Sequence, residues 1–288
     1  MRLSRYSKND IIYKHIQPNY NMMMMIIKQN KYVSSANSKF SCKTILTAAI
    51  IMLSCLAAVI GILIYNGVLW FVYPNMLGYS VKGVDVARYQ GTVDWELMAS
   101  QNIRFVFAKA TEGATLQDPM FEKNMLSSRR HGIYAGAYHY MTTTSSGLAQ
   151  ANNFLDVITR YAMDLPPALD FEITPSANDN DKVKVKNEVK AFLNEVEDRI
   201  GIKPIIYATY ECYNAYLAND FSEYSFWMRD LLRPPRIKDN RNWLFWQYCN
   251  RGRLKGIDKR QKYIDLNVFN GGEAEFEAYI SGLSISHS

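Results

Sequence analysis

The stretch Pro167-Ala168-Leu169-Asp170-Phe171-Glu172-Ile173-Thr174 reads as a short apolar strand carrying two carboxylates two residues apart. Successive side chains of a strand alternate, so Asp170 and Glu172 share one face and Phe171 takes the other. A lone acid in such a run would be read as a helix cap or as an ion-pair partner, for instance of Lys109. An Asp-x-Glu pair inside apolar sequence favours function. Two carboxylates a few ångströms apart push one pKa upward, leaving one protonated acid beside one anion at neutral pH. Cleavage of a glycosidic bond asks for that division: an acid for the leaving oxygen and an anion near the sugar carbon. Metal binding is the competing chemistry, weakened by four scattered histidines and no His/Cys cluster at ligand spacing.

Outward from this stretch, seven more short runs have strand character: 83–90, 103–110, 133–140, 204–210, 224–230, 243–249 and 264–269. Most are bounded by Gly, Pro or Asn and rich in aromatic or β-branched residues. Several are apolar on both faces, which predicts a buried parallel sheet. Helical patterns lie between them at 117–131, 145–161 and 181–200. In the last, Val185, Val189, Phe192, Val196 and Ile200 follow a three-and-four spacing and Gly201 marks the stop. Connections between the later strands are too short or irregular for full helices. The expected fold is therefore α/β, an irregular eight-stranded (β/α) barrel with incomplete helices. If this barrel is lined by the 166–172 strand, both acids point inward near its C-terminal end.

Charge is unevenly distributed. Residues 1–79 hold eight Lys or Arg and one acid, while the rest of the chain is close to neutral, so the net charge of +6 does not signal nucleic-acid binding. From Thr44 to Tyr65 no charge interrupts an apolar run long enough to cross a bilayer, which takes roughly 20 residues. Trp70, Phe71 and Tyr73 follow where an interfacial aromatic belt would sit, and the basic residues before the span predict an N-terminus in the cytoplasm. A cleaved signal peptide normally has a shorter core and a shorter leader, and ends at a small-residue site. Met52-Leu53-Ser54-Cys55 faintly resembles a lipoprotein site, but the apolar run continues beyond it. A buried core helix seldom runs this long without a polar face. The expected organisation is a basic tail at 1–43, an anchor at 44–65, a linker at 66–81 and a barrel at 82–282, with the barrel periplasmic or extracellular. Met22 to Met25 offer a later start that would shorten the tail without changing this topology.

Asp85 and Asp265 occupy the first and last candidate strands, which become neighbours when a barrel closes. Tyr89, Tyr138, Tyr207, Trp246 and Tyr248 lie on strands around them, aromatic side chains of the sort sugar rings stack upon. Each alone is equally well explained by core packing. Cys212 and Cys249 lie in the outer part of the chain, where a disulfide and two buried thiols are both open. Asp94 sits where a helix would begin and is read as its cap. Lys109 and Glu112 are read as holding a loop together, outside the catalytic set.

Taken in order, GVDVARYQGTVDW, FVFAKATEG, GAYHY, PALDFE, PIIYATY, LFWQY and IDLNVF resemble glycoside hydrolase family 25. These are lysozymes that cut the β-1,4 bond between N-acetylmuramic acid and N-acetylglucosamine in peptidoglycan. The resemblance covers residues 82 to about 282. It implies Glu172 as general acid and Asp170 as the carboxylate that orients the substrate's N-acetyl group, although a direct nucleophile has also been proposed. It implies Asp85 and Asp265 as further acids of the site. One departure is at the sixth strand, where Phe226-Trp227-Met228 is followed by Arg229-Asp230 in place of the small residue frequent in the family. The expected protein is a membrane-anchored N-acetylmuramidase whose partners are peptidoglycan glycan strands and the membrane, with no cofactor and no nucleic acid. The rivals are a non-catalytic peptidoglycan-binding or scaffold protein and a lytic transglycosylase. Oligomeric state is not set by these features.

Overall fold

A computed structural model describes residues 22–29, 42–238, 241–258 and 262–285. The chain forms two compact units, Met1–Val59 and Ile60–Ser288. In the first, the described residues are helical, over 22–29 and over the beginning of helix α1 (Cys42–Tyr65). Helix α1 buries none of its residues and, among the described residues, is the helix long and apolar enough to cross a membrane. Most of the expected basic tail lies outside the described residues.

The second unit is built on nine strands: β1 (Lys82–Val86), β2 (Ile103–Glu112), β3 (Leu116–Gln117), β4 (Tyr134–Tyr140), β5 (Ala168–Phe171), β6 (Ile205–Ala208), β7 (Ser225–Arg229), β8 (Trp243–Gly252) and β9 (Ile264–Phe269). Their order is β1-β9-β8-β7-β6-β5-β4-β2-β3, and β1 also pairs with β2. Eight strands thus close a barrel and β3 hangs on β2 as a short flap. The expected eight-stranded barrel stands, but the expectation of a parallel sheet needs correction, because β9 runs antiparallel to both β1 and β8. The reason is the length of the connection. Residues 253–263 are too few for the helical crossover that a parallel neighbour requires, whereas an antiparallel return needs only a loop.

The helices are α2 (Trp95–Ser100), α3 (Phe121–Arg130), α4 (Gly147–Ile158), α5 (Asp179–Ile200), α6 (Tyr210–Cys212, running on into a π-helical turn to Leu217) and α7 (Glu273–Ile285). Local chemistry explains their ends. Asp94 caps α2 by accepting from Leu97 N at 3.0 Å, as expected, and Ser146 caps α4 by accepting from Ala149 N at 3.2 Å. Helix α5 begins at the Asn178 cap and ends at Gly201, whose φ of 78° is the left-handed turn that glycine takes without strain. Its Val189, Phe192, Leu193 and Val196 are buried against the barrel wall.

Inside the barrel, inward positions fill a floor of rings. Phe105 packs on Phe245 at 4.9 Å and Phe107 stacks on Trp227 at 4.7 Å. Room for them comes from Gly83, where a Cβ would lie 2.3 Å from the Phe105 ring. Helix α7 closes the lower mouth through Phe276, which meets Phe105, Tyr134 and Phe269. Polar side chains are left for the upper, C-terminal end of the parallel strands, where barrel sites form.

Candidate active site

The upper mouth holds a cleft of about 370 Å³. Strand β5 ends at Phe171, so Asp170 sits in the strand and Glu172 is the first residue beyond it. Both line the cleft, while Phe171 is buried on the outer side against Tyr216. Alternation thus separates the three residues as the sequence suggested. Asp85 and Asp265 are directly opposed in the β1–β9 ladder and line the same cleft. Four carboxylates, three on strands and Glu172 just past the end of β5, therefore face one space.

Their surroundings differ. Asp170 is half-buried, and its Oδ1 is buried with no hydrogen-bond partner among the described residues. Burial first, and the neighbouring Glu172 second, lift its pKa well above the usual carboxylate range. Glu172 is also half-buried, and its Oε1 accepts from Arg229 Nη1 at 3.2 Å and Tyr207 Oη at 3.4 Å. Asp85 Oδ2 accepts from Asn267 Nδ2 at 2.8 Å and Gln247 Nε2 at 3.1 Å. Burial pushes Asp85 up to about 6 in spite of those donors. Asp265 is lifted well above its usual range, chiefly by burial and then by the charge of Asp85.

An amide network fixes this geometry. Tyr207 Oη lies 2.9 Å from Gln247 Oε1, and Trp227 Nε1 donates to Asn267 Oδ1 at 2.9 Å. Gln247 and Asn267 are thereby held with their NH₂ groups on Asp85. Lys109, nearly buried in the cleft wall, pairs with Glu112 at 2.6 Å, lies over the Tyr140 ring and lowers the proton affinity of Asp170. Both residues lie within β2, so the pair braces the end of that strand and not a loop as expected, and Lys109 also supplies charge to the cleft.

Of the five aromatic candidates, Tyr89, Tyr138 and Tyr207 line the cleft, Tyr89 as an exposed ring at its mouth. Trp246 and Tyr248 do not, and their reading as sugar platforms is corrected. They flank Gln247 on β8, and alternation turns them outward when Gln247 points in. There they clasp residues 66–81: Trp70 meets Tyr248 edge-on at 6.3 Å and Tyr79 meets Trp246 at 5.9 Å. Cys212 and Cys249 are both buried free thiols, Cys212 donating to Ile173 O at 3.0 Å. Gln247, Asn267 and Tyr140 escaped the sequence reading, and Arg229 and Trp227 entered it only as part of a departure from the family pattern, with no role in the site. Parity was the available signal for them, since each sits two residues from a position that the barrel interior claims. Among the described residues no group of three or more His, Cys, Asp or Glu is arranged to hold a metal.

The profile of glycosyl hydrolases family 25 matches residues 84–257. The chain belongs to that family. It is a glycoside hydrolase of the closed-barrel kind. Uncharacterized protein YegX of Escherichia coli K12 is 34% identical over 224 residues, covering 76% of this chain and 80% of that one. Lysozyme M1 of Streptomyces globisporus is 30% identical over 211 residues, covering 69% and 70%. Among solved structures, a family 25 glycosyl hydrolase from Bacillus anthracis superimposes with a TM-score of 0.63 at 41% identity, over 69% of this chain and 93% of that one. The bacterial lysozyme from Streptomyces coelicolor gives a TM-score of 0.61 at 28% identity, over 69% and 96%.

Proposed function

We propose that the chain is a muramidase that hydrolyses the β-1,4 bond between N-acetylmuramic acid and N-acetylglucosamine in peptidoglycan, with net retention of configuration. The observation that carries this reading is the pairing of a buried carboxylate oxygen on Asp170, without a partner among the described residues, with an accessible carboxyl on Glu172 in one cleft. An acetamide N–H is an obligate donor, and Asp170 accepts it more strongly as the anion than as the neutral acid. In the empty cleft burial favours the proton on Asp170. Binding of the acetamide N–H thus favours the Asp170 anion, beside Glu172, which serves as the acid.

Glu172 then protonates the glycosidic oxygen as the bond to the anomeric carbon breaks. The acetamide oxygen, oriented by Asp170, attacks that carbon from the opposite face and forms a cyclic oxazolinium. Water opens the ring, giving its proton back to Glu172, and the two inversions leave the configuration unchanged. Asp85, Asp265 and their amide donors keep the cleft's charge fixed. Tyr89, Tyr138 and Tyr207 offer faces and a hydroxyl to the sugars.

Helix α1 is read as an uncleaved membrane anchor, with the N-terminus in the cytoplasm and the barrel outside it. Its length, its lack of charge and the basic residues ahead of it support that topology.

The full chain in detergent, incubated with isolated sacculi, should release muropeptides with new reducing muramic acid ends. Glu172→Gln should lower that release by at least about 10³-fold with the fold intact by circular dichroism. Binding without new ends would instead favour a scaffold protein, and 1,6-anhydro ends would favour a transglycosylase. Wild-type rates from Glu172→Gln would remove Glu172 as the acid.

A further inference from the structure

Beside the catalytic cleft lies a second groove, of about 480 Å³, that the hydrolysis above does not use. Its walls are the loop after β4, the segment after β5 and the first turns of α5. Consecutive residues divide the two openings: Tyr140 and Glu172 line the cleft, whereas Met141 and Ile173 line the groove. Met141 N donates to Asp170 O at 3.0 Å, so the partition is a pair of hydrogen-bonded backbones, about 4.8 Å apart. A branch leaving the glycan at the catalytic carboxylates reaches the groove by crossing a single rim.

The lining separates a peptide from a sugar. Sugar rings lie on open aromatic faces. The aromatic ring here, Tyr216, is buried and its hydroxyl is engaged by Ser176 N at 2.9 Å and Thr174 O at 3.4 Å. The floor is aliphatic instead, through Met141, Ile173 and Val185, and hydroxyls of Thr142, Thr144 and Ser145 edge it. Ser145 Oγ is buried without a hydrogen-bond partner among the described residues. Both signs of charge stand at the rim. Glu188 accepts from Gly147 N and Asp181 accepts from the Ser176 hydroxyl. Lys184 is exposed and forms no ion pair among the described residues. Small apolar side chains, amides and a free carboxylate match such a surface, and a short acidic peptide presents all three.

Resting on the muramidase reading, we propose that this groove is a subsite for the peptide branch carried by N-acetylmuramic acid, with Lys184 taking a carboxylate of that branch. The enzyme then prefers peptide-bearing glycan to the same glycan stripped of peptide.

The test compares kcat/KM of the full-length chain in detergent on sacculi with intact peptides and on strands from which an amidase has removed them. Two exposed positions are varied, Lys184→Glu to reverse the cation and Thr144→Trp to fill the groove. Each variant should lose about tenfold on the peptide-bearing polymer, the size of one charge-assisted contact, and stay within about twofold on bare glycan. Equal effects on both polymers, or none on either, overturn the subsite and leave the hydrolase reading standing. A wild-type chain inactive on both polymers overturns that reading and the subsite with it.

Discussion

Arg229 shows how much one side chain changes this cleft. Its Nη1 holds Glu172 Oε1 at 3.2 Å, and its charge also lowers the proton affinity of Asp265. Where a small residue would leave the carboxylates to repel one another, the guanidinium offsets them. Arg229→Met should therefore let the carboxylate cluster keep its protons to higher pH, moving the alkaline limb of the kcat/KM profile up by about one pH unit. Rate at the optimum should fall about tenfold, because Glu172 loses a partner that orients it. Arg229→Lys keeps the charge and should restore the limb more fully than the rate. An unmoved profile in Arg229→Met would leave Arg229 with packing alone. In the sequence Arg229 stood out as a departure from the family pattern, but its contact with Glu172, 57 positions away, did not. Gln247 and Asn267 were hidden differently, as ordinary amides between large apolar neighbours that drew the eye.

Strand β4 shows what an element does with its outward face. Tyr138 and Tyr140 line the cleft, and His139 between them points into the layer under α4 and α5. There it lies on the Phe192 ring at 4.8 Å, with Nδ1 2.7 Å from Thr111 Oγ1 and Nε2 3.1 Å from Gln150 Oε1. Burial holds it neutral, with its pKa down at about 4. An unfolded imidazole titrates near 6.5, so this contribution to stability is full above that pH and is lost as pH falls through about 4. Asp85 runs the other way: its contribution is full below about 3.8 and is lost as pH rises through about 6. Because the two oppose, His139 is isolated by difference. The unfolding free energy of the wild type relative to His139→Gln should drop by about 3 kcal/mol between pH 7 and pH 4, measured by urea titration. A constant difference would show that His139 is not held neutral. Element by element, β8 was legible in extent but not in orientation, since a run apolar on both faces carries no alternation to read.

For the whole molecule, an uncleaved anchor would make cleavage a local act at the envelope. An N-terminal tag and the barrel should remain on one polypeptide, resist carbonate extraction and sediment with membranes. Protease added outside spheroplasts should remove the barrel and spare the tag. A mature mass lacking the residues before Tyr65 would replace the anchor by a signal peptide. The apolar span, the order of the eight barrel strands and of helices α3, α4 and α5, the cap at Asp94 and the stop at Gly201, and the two acids of the 167–174 stretch were fixed by local chemistry, and the sequence alone determined them. Period, charge and capping act over a few residues, which is the range a linear reading has. Closure of the barrel decided the rest. It set Asp85 against Asp265 across 180 positions, reversed β9 because its connection is short, and turned Trp246 and Tyr248 outward by bringing Gln247 in. It also left one oxygen of Asp170 buried without a partner among the described residues. Those are facts of register and enclosure, and they exist only when the first and last strands meet.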